Sequence, residues 1–478
     1  MKKIVLLSTL VLLLSACSKE SDVVIESKLQ AEALLTPENG TFVSLAKATD
    51  IASVFFGTLS DNPATKSNAR IASTETIRDS KRNNDPSMYV VNYSGGGFVI
   101  VGASKDYYPI LAYSDENNFA YKEEIGGLVI WMEETQEAIR QSENMDEDTK
   151  SEIRNLWAKY GIVGSVSPTP MKTKAMDPLQ EAAYQNRISE LQNGDGSEYT
   201  YFRLSDVFYE GAFSDTYGAY TRLCGFANSF GSPLEYTIVG IKDVYSYQEV
   251  GPLMATEWHQ DYPFNAQCNG NKSGCVAIAM AQIMKFHQHP SSYNWSNMPY
   301  TAIQTNPAVH STPQLIADIG TATGMIYGLS ASGTTDAKAK SAFQNTFSYN
   351  AMLISHNINS VMTEILTNKR PVYMAGSFTI GGAGHAWVCD GAHDYYTYHQ
   401  YFIEFLAGNQ GNYYYTNLDD TPTLEFPYRI NNFSAAYFHM NWGEAGIINS
   451  IGWYVTNNVA TSFGNPQYDR LNIYVYPN

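Results

Sequence analysis

Asn271-Lys-Ser-Gly-Cys-Val-Ala-Ile-Ala-Met-Ala-Gln-Ile-Met-Lys-Phe-His-Gln-His-Pro290 is the stretch on which the fold turns. From Cys275 onward the residues are small or apolar on nearly every face of a helix, and Pro290 stops the run. A helix that is apolar all round is a buried, central one. Gly274 precedes it, so Cys275 stands at its N-terminal end, where the positive end of the helix dipole favours a thiolate. A free cysteine in the middle of such a helix would read as inert packing; one at its start reads as a candidate nucleophile.

A thiol nucleophile needs a base, and the nine histidines can be screened for one. His287 lies on the same helix, roughly 18 Å from Cys275 at 1.5 Å per residue, and His289 lies just beyond it; neither can reach. His259, His310, His356, His393 and His399 stand in polar surroundings without a recognisable frame, and His439 is a second candidate before Met440-Asn441-Trp442-Gly443. His385 is better placed. It follows Gly381-Gly-Ala-Gly384 and opens Ala386-Trp-Val-Cys-Asp-Gly391, a short strand that would hold the imidazole while the glycines allow close approach. Two further groups suit the same chemistry. In Trp258-His-Gln260, fifteen residues before Cys275, the Gln260 amide is a candidate donor to an oxyanion. In His439-Met-Asn-Trp-Gly443, Asn441 could orient an imidazole and Trp442 could cover that bond, although each alone is as readily a structural amide or aromatic.

The chain has 478 residues, enough for two or three domains. Only 16% of the residues are charged, and 35 tyrosines outnumber the 30 lysines and arginines, which argues against disorder. A net charge of -17 argues against nucleic acid as a partner and against electrostatic attachment to anionic lipid. Lys2-Lys3, an apolar run from Ile4 to Leu14, and Ser15-Ala16-Cys17 form an export signal too short to span a bilayer. Leu14-Ser-Ala-Cys17 resembles the bacterial lipobox. The resemblance implies cleavage before Cys17, a lipid on its thiol, and an exported protein anchored at the outer membrane or cell surface, with release after activation. Of the five cysteines, Cys224, Cys268 and Cys389 remain once Cys17 and Cys275 are set aside, so at most one internal disulfide can form. No C-x-x-C pair is present, and nothing in the spacing asks for a metal or another cofactor.

Along the chain, residues 1–16 read as the signal and 17–40 as a tether. Residues 41–162 read as a compact α+β module: helices near Val43–Phe56, Leu128–Arg140 and Asp146–Tyr160, and a strand pair at Met88–Tyr93 and Phe98–Val101. The stretch Asp61–Asp85 reads as a polar loop. Residues 163–178, rich in Gly, Ser, Thr and Pro with two lysines, read as a linker open to proteolysis. Residues 179–237 carry no clear signal, and 238–478 alternate helices with aromatic-rich strands.

Gln260, Cys275, His385 and Asn441 occur in the chain order of papain-like thiol proteases. The blocks Gly274–Pro290, Gly384–Gly391, His439–Gly443 and Trp258–Asn265 resemble those of the streptopain and interpain cysteine peptidases, over roughly Val250 to the C-terminus. The resemblance implies a papain-like α+β domain, with a central Cys-bearing helix against an antiparallel sheet. It implies a cysteine endopeptidase acting on proteins or peptides: Cys275 as nucleophile, His385 as base and acid, Gln260 as oxyanion donor, Asn441 and Trp442 as supports. Tyr89–Asn92, Gly97–Gly102 and Pro109–Ser114 are similar to the family's small α+β inhibitory prodomain, which implies a zymogen whose own N-terminal module is an intramolecular inhibitor. One departure is visible: after Gly443 the family continues with Trp and Gly, whereas Glu444-Ala445-Gly446 follows here. A glycan-binding surface lipoprotein and a thiol acyltransferase are the other readings the residues allow.

Overall fold

A computed structural model describes residues 40–59, 70–121, 126–145, 178–194, 199–205, 237–301, 311–377, 384–407, 412–417, 435–444, 450–456 and 470–478, with scattered positions between 150 and 160 and Ala227. The signal and tether, Cys17, Cys224 and residues 161–177 lie outside the described residues.

The N-terminal unit opens with α1 (Leu45–Phe56), whose N-cap Ser44 accepts a hydrogen bond from the Lys47 amide. Four antiparallel strands follow: β1 (Ile71–Asp79), β2 (Asp85–Tyr93), β3 (Phe98–Gly102) and β4 (Ile110–Ser114). β1 corrects the expected polar loop. It is an edge strand with mostly exposed side chains, held by its ladder to β2, so hydropathy gives it no signal. α2 (Gly126–Ser142) covers one face of the sheet and α1 the other. Trp157, in the helical segment read at 146–160, is buried and donates to the Tyr107 carbonyl at 2.7 Å.

The segment without a sequence signal begins as a helix. α3 (Pro178–Gly194) starts at the residue taken as the end of the linker, because proline suits the first helical turn. β5 (Thr200–Arg203) then pairs with β6 (Thr237–Val250). Arg187 on α3 is bidentate to Glu404, whose carboxylate is fully buried, and this fixes the helix to the sheet.

The C-terminal unit is built on α4 (Cys275–His287), followed by α5 (Thr312–Thr323), α6 (Asp336–Asn345), β7 (Tyr349–Ser355), α7 (Ile358–Leu366), β8 (Val372–Ser377), β9 (Gly384–Ala407), β10 (Asn412–Asn417), β11 (Ala435–Asn441), β12 (Gly452–Val455) and β13 (Leu471–Pro477). Every residue from Val276 to Lys285 is buried, as the all-round apolar pattern requires. Lys285 tolerates this because its ammonium donates to the Trp295 carbonyl at 2.5 Å and lies over the Tyr300 ring. Ile278, Met280 and Ile283 share a core with Trp258, Leu315, Phe343, Tyr373, Val388 and Ile473. No helix among the described residues is long and apolar enough to cross a membrane.

Among the described residues one sheet runs through both units, in the order β1-β2-β3-β4-β12-β11-β9-β8-β13-β7. The join is β4 to β12, with Tyr113 opposite Trp453 and Ala112 opposite Tyr454. A common core backs it: Leu128, Trp131 and Ile139 of the N-terminal unit with Trp387, Phe438, Trp442 and Tyr454 of the C-terminal one. Trp131 donates to the Val455 carbonyl at 3.1 Å and Tyr437 to the Ile110 carbonyl at 2.7 Å. The interface is thus large and apolar, the kind that holds two units rigidly.

One titratable group at this interface sets a pH dependence. His393 Nε2 lies 2.8 Å from the Tyr113 hydroxyl, and burial lowers its pKa to about 4. A histidine held neutral in the docked state and more free to take a proton when Tyr113 leaves favours docking at neutral pH, and docking weakens as the pH falls towards 4. Limited proteolysis of the full-length Cys275→Ala chain should therefore release the N-terminal unit more readily at pH 5 than at pH 7. His393→Gln should flatten that difference, and equal resistance at both pH values in the unsubstituted Cys275→Ala chain would refute the assignment.

Candidate active site

Gly274 adopts a φ of 89°, and a Cβ there would lie 2.9 Å from the Met325 sulfur and 3.1 Å from the Ser332 carbonyl oxygen. Only glycine satisfies both constraints. The chain turns at Gly274 into α4, leaving Cys275 half-buried at the helix start, beside amides without intrahelical partners. α4 lies across β8 and β9, where Gly376 pairs with His385 and Ala375 with Ala386. The Ala386 amide donates to Cys275 Sγ at 3.4 Å, and His385 comes within hydrogen-bond reach of the same sulfur. His385 Nε2 donates to the Trp442 carbonyl at 3.3 Å, which leaves Nδ1 for the thiol.

Electrostatics make the two groups a pair. Burial alone would push the Cys275 thiol up, but the charge and hydrogen bond of His385 and the Ala386 amide outweigh it and hold the thiol below its usual value. Burial alone would push His385 down; the Cys275 charge and hydrogen bond, then Glu444 and the Trp442 carbonyl, raise it to about 9. A thiol lowered and an imidazole raised are the two halves of one thiolate–imidazolium pair.

The Gln260 carbonyl accepts from the Ser273 amide at 3.1 Å, so its segment runs beside the residues just before the thiol. Trp258 anchors that segment, fully buried and donating to the Pro299 carbonyl at 2.8 Å. The Gln260 side-chain amide donates to the Glu444 carboxylate. Asn441, expected from the sequence to orient the imidazole, is engaged otherwise: its Nδ2 donates to the Thr256 carbonyl at 2.6 Å and its Oδ1 accepts from the Gly443 amide at 3.2 Å. The bond to the imidazole comes from the neighbouring Trp442 backbone. Buried at the same corner, the Trp442 indole donates to the Ser450 carbonyl at 3.0 Å. The second histidine candidate, His439 on β11, is paired with the buried Asp390 of β9 at 2.6 Å. Cys268, Cys275 and Cys389 are all free thiols.

Three participants escaped sequence reasoning. Backbone groups, the Ala386 amide and the Trp442 carbonyl, have no residue-type signature. Glu444 was visible as a departure in Asn441-Trp-Gly-Glu444, but only the fold puts it on Gln260. The third is the contact that the expected inhibitory module makes, through Gly126 and Gly127. α2 begins against the imidazole: a Cβ on Gly126 would lie 3.0 Å from His385 Cβ, and one on Gly127 would lie 2.8 Å from Trp442 Cε3 and 3.1 Å from His385 Cδ2. Two glycines let this helix start press on the paired groups.

A buried helix carrying a thiol at its start, against an antiparallel sheet carrying the imidazole, defines a papain-like α+β fold. The Peptidase C10 family matches residues 258–292 and 291–454, and the Spi protease inhibitor matches residues 40–139. The C-terminal part of the chain is thus similar to the Peptidase C10 family and the N-terminal part to the Spi protease inhibitor. It is 29% identical to a streptopain of Streptococcus pyogenes serotype M28, over 27% of this chain and 42% of the relative. It is 28% identical to the thiol protease/hemagglutinin PrtT of Porphyromonas gingivalis, over 34% of this chain and 23% of the relative. The matches thus span less than half the length of these curated relatives. A prointerpain A fragment of Prevotella intermedia superposes with a TM-score of 0.44 at 16% identity, covering 84% of this chain and 98% of that one.

The pairing predicts the reactivity of Cys275 without reference to any substrate. Iodoacetamide should alkylate it at pH 7 faster than an ordinary thiol, because the thiolate is the reactive form. His385→Ala should slow that alkylation at least about tenfold at pH 7, as the thiol pKa climbs with loss of the imidazolium. Equal rates in the two proteins, read by peptide mass mapping at Cys275, would dissolve the pair.

Proposed function

We propose that the chain is a cysteine endopeptidase made as a zymogen, with Cys275 and His385 as the catalytic residues and Gln260 as an oxyanion donor. The observation that carries this reading is the paired thiol and imidazole at the start of α4, with the start of α2 seated on that imidazole. The thiolate attacks the carbonyl carbon of a peptide bond, and the charge that develops on oxygen meets the Gln260 amide and the Cys275 backbone amide. The imidazolium gives its proton to the departing amine, leaving a thioester. His385 then takes a proton from water, the hydroxide displaces the thiolate, and the pair is restored.

Latency follows from the same geometry. While the N-terminal domain is docked, α2 crowds the imidazole, and a substrate has to displace it. A tether keeps the domain at roughly millimolar effective concentration, so an intact chain stays occupied. A cut in residues 163–178 would remove that advantage. Export and lipid attachment at Cys17, with placement at the outer membrane or cell surface and release on activation, complete the reading; they rest on Leu14-Ser-Ala-Cys17. Labelling with a radioactive fatty acid should be lost in Cys17→Ser, and retained label would refute lipidation there.

Cys275→Ala should abolish cleavage of a denatured protein and leave the purified chain full length. Full activity in that variant would end the reading, and cross-linked amides in place of fragments would make the enzyme an acyltransferase. Gln260→Ala should lose about a hundredfold to a thousandfold. Gly127→Leu overpacks the Trp442 and His385 contacts, at about 1–3 kcal/mol, which is about 5- to 150-fold in the docking equilibrium. The full chain carrying it should process itself faster than wild type. Unchanged latency would show that α2 does not block the site.

A further inference from the structure

Glu444 is the side chain at this site that neither the resemblance nor the catalytic scheme uses. It follows Gly443 in the loop after β11, and its backbone forms an antiparallel bridge with His259, which brings that loop against the Gln260 segment. Its side chain is buried, and its carboxylate receives the Gln260 amide. The charged and titratable groups that face it are His385 from β9, Lys272 and Asp261 from the segments before α4, and Cys275 at the helix start. Lys272 is committed to Asp261 at 2.6 Å, so the charge on Glu444 is left to act on Gln260 and on the thiol–imidazole pair.

A glutamine amide has a donor end and an acceptor end, and rotating it by half a turn exchanges them. An oxyanion site works in one orientation only, with the nitrogen inward, because a carbonyl oxygen facing a developing negative charge repels it. An ionised carboxylate accepts and never donates. Bonded to Glu444, the Gln260 nitrogen is fixed: one N–H is held by the carboxylate and the second remains for the substrate oxygen. The same negative charge favours the imidazolium of His385 and opposes the thiolate of Cys275.

We infer that Glu444 is a positioning residue, locking the Gln260 amide with its nitrogen towards the reacting carbonyl and biasing the Cys275–His385 pair through its charge. This deepens the peptidase reading and rests on it. Burial raises the Glu444 pKa from its usual value, against the lowering effects of His385 and Gln260. As the pH falls and the carboxyl takes a proton, it becomes a donor able to turn the amide round, so activity is lost on the acid side.

The test uses Glu444→Gln, close in size but uncharged and indifferent to amide orientation, with two readouts. The first is the pH profile of Cys275 alkylation by iodoacetamide in the full-length chain, mapped by mass. Removing the charge should move both limbs of that profile to lower pH by half a unit or more. The second is steady-state cleavage of a peptide by the processed enzyme: kcat should fall about tenfold or more, with KM within twofold, as expected for an interaction made in the transition state. Glu444→Asp should recover part of the profile. A Glu444→Gln enzyme with an unmoved alkylation profile and an undiminished kcat overturns the inference. Wild-type protein that cleaves no peptide, yet whose alkylation profile shifts in Glu444→Gln, overturns the peptidase reading and upholds the action of Glu444 on the pair.

Discussion

The seating of the α4 start on β9 is the contact on which the rest of the structure depends. One end of a central, largely buried helix and one end of a central strand meet where Gly274 turns the chain and the Ala386 amide reaches Cys275 Sγ. Both elements are fixed on all sides, by Ile278, Ile283, Tyr373 and Val388 in a shared core and by the register of β8 against β9. Thiol and imidazole are therefore held by packing and not by flexible side-chain choice. The burial that fixes them also disfavours each charge alone, and only together do they overcome it: the thiol is held down and the imidazole held up by one another.

The same economy governs the union of the two units. β12 offers an edge that β4 completes, so sheet hydrogen bonding and a tryptophan-rich core cross the boundary together. A domain docked in this way shares a core with the site it covers. Trp442 belongs to that shared core and, through its carbonyl, to the imidazole as well. Release of the N-terminal unit would uncover Trp131, Trp453 and Tyr454 contacts, so separation needs more than a local opening.

The sequence was most legible where a residue type and its position carry the physics. An all-apolar helix beginning Gly274-Cys275, and His385 at the head of an apolar strand, are patterns that point to one site when read together, and the fold brings them side by side. α2 and the β2–β3 pair were legible for the same reason. What escaped was carried by backbone or by distance. β1 is polar and stabilised by its ladder; α3 carries only a short apolar row, Tyr184, Ile188 and Leu191, whose partners Tyr201 and Ile238 and the Glu404 that binds Arg187 lie further along the chain. Asn441 looked like the imidazole's partner, and the bond goes instead to a carbonyl one residue on, which no residue-level pattern distinguishes. Gly126-Gly127 reads as an unremarkable helix start until His385 is placed 3 Å from where their side chains would be.

That helix start also bears on the proposed latency. The N-terminus of a helix carries partial positive charge, and α2 presents it to an imidazole raised to about 9 and therefore protonated near neutrality. The electrostatic term there opposes docking, so the apolar surface around Trp131, Trp442 and Tyr454 has to supply the attraction. The N-terminal domain thus occupies the space over the imidazole. Glycine at both contact positions is what brings the helix start this close; any larger residue would hold it away from the ring.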